Sequence, residues 1–200
     1  MESTAEPRRR DAAGTRAAIL ASARRAFAAS GYDGAGVREI AAGAGVTAML
    51  VNRYFGSKEQ LFAEVVADTM ADPVILAPEN LASPTIARDL ASALVGLTAA
   101  GAGPLDGFLI LFRSSSSPAA ARIAREQIAR IHHKTATGAV RAAHAPERAA
   151  LLLSLVAGVQ MMRQMIALEA LADADPDILV GILAPIVAQL LGIEADSIAR

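Results

Sequence analysis

Apolar side chains recur along this chain at intervals of three and four and show no sustained strand-like alternation, which predicts an all-α fold. The first segment runs from Thr15, a residue able to cap a helix, to about Ser30, with Ile19, Leu20, Ala23, Ala26 and Phe27 on one face. Gly31 ends it. Between 36 and 55 the segments shorten: Ile40, Ala44, Val46, Val51 and Tyr54 have the spacing of two short helices crossed over a tight turn. Gly45 stands where that turn needs a residue tolerant of positive φ. Ser57 then caps a fourth helix opening Lys58-Glu59, with Leu61, Phe62, Val65 and Val66 inward. Asp72-Pro73 and Ala77-Pro78 mark a break. Beyond it, longer helices are expected near 84–100, 104–114, 118–141, 146–171 and 176–192. Pro84, Pro104, Pro118, Pro146 and Pro176 each fall near a first turn, where a missing N–H costs nothing.

Composition sharpens this picture. The chain is 54% hydrophobic but 4% aromatic, so helices are expected to pack closely through small residues. With no cysteine, disulfides and thiolate metal sites are excluded, and a reducing compartment fits. The apolar runs 149–162 and 178–193 are short for a membrane span, and the second contains Pro185 and Gln189. No apolar signal segment follows Arg8–Arg10. A soluble, cytoplasmic protein without membrane association is therefore expected.

Little in the sequence points to catalysis. His132, His133 and His144 lack metal-ligand spacing, because neighbours on a helix point about 100° apart. Gly43-Ala-Gly45 and Gly101-Ala-Gly103 lack the remaining positions of a phosphate-binding loop. No catalytic residue, metal or cofactor is expected.

Charge is unevenly spread. Residues 1–58 hold nine Lys/Arg against five Asp/Glu, a net +4; residues 59–200 hold ten against fifteen, a net −5. The basic front suits a polyanion. Within it, the second short helix, 47–54, leaves Ala48, Met49, Asn52 and Arg53 facing outward. An amide and a guanidinium on a protruding helix suit the major groove of double-stranded DNA. Thr47 caps that helix and can reach a phosphate. Ala48 and Met49 can touch a thymine methyl, and Arg53 a guanine or a phosphate. Tyr54 turns its ring inward and its hydroxyl toward the backbone. Arg38 begins the preceding helix beside the groove, and Lys58 can hold a phosphate at the start of the next. Residues 1–11 read as a disordered basic arm, whose arginines can reach the adjacent minor groove.

Thr15-Arg16 with Ile19-Leu20, then Phe27, Gly31-Tyr32, Ile40-Ala41, Ala44-Gly45-Val46-Thr47, Tyr54-Phe55 and Ser57-Lys58-Glu59, agree in order and distance with one family. Over about residues 12–70 the chain resembles the TetR/AcrR bacterial transcriptional regulators. The resemblance implies an N-terminal three-helix helix-turn-helix DNA-binding domain over 12–70, with the motif at about 36–55. It also implies a C-terminal helical domain over 71–200 for effector binding and dimerisation. One position departs: the family commonly has tyrosine where this chain has Asn52. The usual phosphate contact is then replaced by an amide able to pair with adenine.

The resemblance further implies a homodimer through the two C-terminal helices, which are apolar around much of their circumference. It implies an effector pocket as well. Phe108, Leu111, Phe112, Met161, Met162 and Met165 are candidates for its lining, with Arg113, His132, Arg163 and Gln164 as polar anchors. The function expected is a ligand-responsive regulator that binds a pseudo-palindromic operator, represses, and is released by a largely apolar small molecule. Two rivals stand beside it: a helical ligand-binding or sequestering protein that no longer reads DNA, and an α-helical enzyme.

Overall fold

The computed structural model describes residues 6–99, 101–102 and 106–193, with side chains from 12 onward. Every regular element among them is helical. They form two compact units, one of Met1–Ala71 with Leu105–Gln127, the other of Asp72–Pro104 with Ile128–Arg200.

In the first unit, α1 spans Glu6–Gly34 and kinks at Gly31, whose φ is 67°. It starts earlier than Thr15 because Pro7 is tolerated in a first turn and the following alanines propagate the helix. Residues 6–11 of the expected free arm therefore have helical backbone; residues 1–5 and the Arg8–Arg10 side chains lie outside the described residues. Ile19, Ala23 and Phe27, one turn apart, are fully buried. Helices α2 (Val37–Gly43), α3 (Ala48–Phe55) and α4 (Lys58–Thr69) follow. From α4, Leu61, Phe62, Val65 and Val66 enter the same core. The Phe62 ring lies edge-on to Phe27 and to Tyr32, both at 5.0 Å. Such pairs add about 0.5–1.5 kcal/mol beyond area burial.

The expected domain division follows chain order; the packing does not. α7 (Asp106–Ser114) lies along α1 and α4, and α8 (Pro118–Ile128) begins beside them. Ile110 is fully buried. Arg113 donates to the carbonyls of Ala28 and Ala29. Tyr32 N–H donates to Ser114 Oγ at 2.9 Å, and Ser117 Oγ to Asp33 at 3.1 Å. Gly31 is obligatory at this seam. Its φ is positive, and a Cβ there would collide with the Arg113 carbonyl.

The second unit centres on α6 (Ile86–Leu97) and α12 (Pro176–Leu191). Leu90 and Leu94 pack in one core with Leu183, Val187 and Leu191, while Ala91, Ala184 and Ala188 keep the seam close. Around them lie α5 (Pro78–Leu81), a π turn at Ala129–His133, α9 (Lys134–Ala139), α10 (Ala145–Gln160), a second π turn at Met161–Met165, and α11 (Glu169–Ala172). The helix expected over 146–171 stops early. Ile166 N–H returns to Met161 O and Leu168 N–H to Met162 O, with Ala167 at φ 53°. No helix among the described residues is long and apolar enough to cross a membrane.

Candidate nucleic-acid interface

The helix-turn-helix is fixed by local chemistry. Ile40 is fully buried, and Ser22 Oγ of α1 donates to its carbonyl at 2.8 Å, seating α2 on α1. Gly45 adopts φ 68° in the turn. Val46 N–H returns to Ala41 O at 2.9 Å, which closes α2. Thr47 Oγ1 accepts from Leu50 N–H at 3.3 Å and so caps α3. One face of α3 then turns inward through Val51 and Phe55, 2% and 4% exposed.

The opposite face is open. Met49 is 81% exposed, and Asn52 and Arg53 are exposed beside it; Thr47 is exposed at the cap and Ala48 half-buried. Tyr54 is half-buried. Arg38 on α2 is exposed, and neither it nor Arg53 forms an ion pair among the described residues. Both guanidiniums are therefore available to an external anion.

Two contacts hold the far end of α3. Gly56 turns the chain at φ 77°, and Ser57 Oγ accepts from Gln60 N–H at 3.1 Å, capping α4. Arg16 of α1 lies 4.9 Å over the Phe55 ring while it pairs with Glu64 of α4. Lys58, expected at a phosphate, has its ammonium 4.6 Å over the Tyr32 ring. It is half-buried, which places the ammonium at the first turn of α4 rather than free in solvent. Burial first, then the Glu59 and Asp33 carboxylates, raise the Tyr32 hydroxyl above its ordinary value; Arg122 works the other way. That hydroxyl stays neutral beneath the lysine.

The expected pocket residues divide between the units. Phe108 and Phe112 stack at 6.0 Å on α7, where Phe108 and Leu111 are half-buried and Phe112 is 46% exposed. Met161, Met162 and Met165 sit on the second π turn, Met162 at 36% exposed and the others half-buried. Arg113 is engaged with α1 carbonyls. His132 lies on the first π turn, where burial lowers its imidazole from the ordinary value. Among the described residues no cluster of His, Asp or Glu could hold a metal ion.

Sequence reasoning missed the fastening of 105–127 to the head. Besides Arg113, Ser114 and Ser117, it includes Arg24 with Asp106 at 3.3 Å and Arg122 with Glu59 at 3.0 Å. The glycine-aromatic-aspartate run Gly31-Tyr32-Asp33 was its only local signal.

Residues 19–65 match the model of the bacterial regulatory proteins, tetR family, and residues 84–191 that of the tetracyclin repressor-like C-terminal domain. No curated protein matches the chain. Among solved structures it is similar to a TetR-family regulator from Streptomyces coelicolor, at 26% identity, 90% of this chain, 96% of that one and a TM-score of 0.62. A putative TetR-family transcriptional regulator from Rhodococcus is 18% identical, with coverages of 90% and 99% and a TM-score of 0.65. A multidrug binding protein, EbrR, complexed with proflavin, is 20% identical, with coverages of 88% and 99% and a TM-score of 0.56.

Proposed function

Because this chain belongs to the TetR family of DNA-binding transcriptional regulators, we propose that it is a repressor whose dimer grips a pseudo-palindromic operator and lets go when a small, largely apolar effector binds. The observation that carries this reading is the two-sided α3: Val51 and Phe55 anchor it, while Met49, Asn52 and Arg53 stand free. Arg38, Thr47, Ala48, Tyr54 and Lys58 surround that face as backbone or groove-wall contacts. Asn52 reads an adenine edge.

An apolar stripe supports dimerisation. Ile178, Ile182 and Ile186 follow one another along α12 at 61%, 58% and 40% exposed, and Leu151 on α10 is 58% exposed. A stripe of this kind on helices whose other face is already buried suits a symmetric four-helix contact with a second copy. Two heads then address successive major grooves, one helical turn or a multiple of it apart.

Release requires an effector that binds one conformation better than the other. The chain passes between the two units after 71, after 104 and after 127, so a change in the second unit reaches the head along α4 and along α7–α8. Met161, Met162 and Met165, on one turn of the second unit, are the proposed lining of the effector site. The protein is proposed to work in the cytoplasm and not as an enzyme.

Selection of bound sequences from random DNA, followed by anisotropy on the enriched site, tests the reading. A two-fold-related site retained at elevated salt, and a dimer in sedimentation, are expected. Binding that is independent of sequence and vanishes with salt would overturn it.

A further inference from the structure

The second π turn buries a guanidinium without a counter-charge. Arg163 is 6% exposed. Its Nε donates to Leu171 O at 2.9 Å, and its Nη1 to Val95 O at 2.8 Å and to the Thr98 hydroxyl. All three acceptors are neutral, and no carboxylate pairs with Arg163 among the described residues. Its Nη2 makes no hydrogen bond among the described residues. The next residue repeats the imbalance. Gln164 Nε2 donates to Leu97 O at 3.2 Å, whereas Oε1 is buried with no partner.

Helix capping accounts for only part of this. Val95 and Leu97 belong to the last turn of α6, and Leu171 to α11, so the guanidinium meets the Val95 and Leu171 carbonyls, and the Gln164 amide the Leu97 carbonyl, at helix ends short of backbone N–H donors. Capping needs N–H donors, which a neutral amide supplies; it does not need a full charge. Desolvating a charged group costs more than a helix terminus returns. A guanidinium, unlike an ammonium, does not escape that cost by losing its proton. The Nη2 donors left without an acceptor and the orphaned Gln164 Oε1 are complementary to a ligand that carries both an anion and a donor.

We propose that the second unit binds an organic carboxylate with an apolar body. The carboxylate accepts from Nη2 of Arg163, and a hydroxyl or N–H of the ligand donates to Gln164 Oε1. Met161, Met162 and Met165 on the same turn supply adaptable apolar contact. The proposal rests on the reading that this region takes an effector, and adds the effector's charge class.

Calorimetric titration of the full chain with three probes of one body, each with a hydroxyl to donate to Gln164 Oε1, tests it: 2-hydroxy-4-phenylbutyrate, 2-hydroxy-4-phenylbutyramide and 2-hydroxy-4-phenylbutylammonium. The carboxylate is expected to bind at least tenfold more tightly than the amide, and the ammonium not measurably. In Arg163→Gln, whose amide still donates to the carbonyls, that preference falls to near parity; Arg163→Lys retains part of it. Equal affinity for carboxylate and amide in the unaltered protein overturns the anchor while leaving the effector reading intact, and needs no variant to fold. An undiminished preference in Arg163→Gln overturns it too. If none of the three binds, the anchor falls, and operator release by other compounds decides the effector reading separately.

Discussion

All five phenylalanines and both tyrosines lie in residues of the first unit; the second has none. The head's core is a set of rings with defined mutual angles, Phe62 edge-on to Phe27 and Tyr32. Hydrogen bonds spanning more than eighty residues of sequence surround them. The second unit's core is leucine, isoleucine, valine and alanine along α6 and α12. Ring pairs and long-range polar bonds have preferred directions and specify one arrangement. Aliphatic contacts are nearly non-directional, and helices packed through them can shift between alternative arrangements by small sliding steps. On the proposed function, geometry that must match a groove is held by the first kind of packing, and geometry that must yield to a ligand by the second.

The contrast can be broken most forcefully at Phe62. Phe62→Ala removes both edge contacts from a fully buried site and is expected to cost about 3–5 kcal/mol, read by denaturant titration. DNA binding should fail in the same variant; a folded head that still binds its operator would refute the rigid-core account. Gly31→Ala comes next. Gly31 combines φ 67° with ψ −178°, a region essentially reserved for glycine, where an L-residue costs about 1–3 kcal/mol, and the clash with the Arg113 carbonyl adds to it. A melting temperature lowered by several degrees is expected, and an unchanged one would show that the α1–α7 seam is loose. Arg53→Ala sharpens the comparison from the surface. Operator affinity should fall by about 1–3 kcal/mol with no change in melting, because its side chain is exposed. The smallest effect belongs to the second unit. Burial holds the folded imidazole of His132 below its ordinary 6.5, so its contribution to stability is present above pH 6.5 and is lost as pH falls through the folded value. His132→Gln should flatten that part of the stability profile; an identical slope would remove His132 as its source.

Much of the reading face was legible because its rules are local. Thr47 and Ser57 declare caps and Gly45 a turn, and Val51 is read inward correctly; the second inward position was expected at Tyr54 but is Phe55, one residue on. Each signal spans a few residues. The boundary at 71 was legible only as a chain break, since α7 returns to α1 through bonds such as Tyr32–Ser114 that no periodicity encodes. The helix expected over 146–171 failed for a related reason. Nothing in Met161–Met165 forbids an α-helix, and the π turn there coincides with the carbonyls that Arg163 reaches across the fold. Lys58 was placed at the correct helix start, but its seat over Tyr32 depends on two segments meeting in space.

The placement of Tyr32 and Tyr54 has an optical consequence. The chain has no tryptophan, so near-ultraviolet emission originates in the head alone, one emitter on α3 itself and the other beneath Lys58. The second unit is dark. A compound that binds there and alters tyrosine emission has therefore sent its signal across the molecule, and an unlabelled fluorimeter reads that transmission directly.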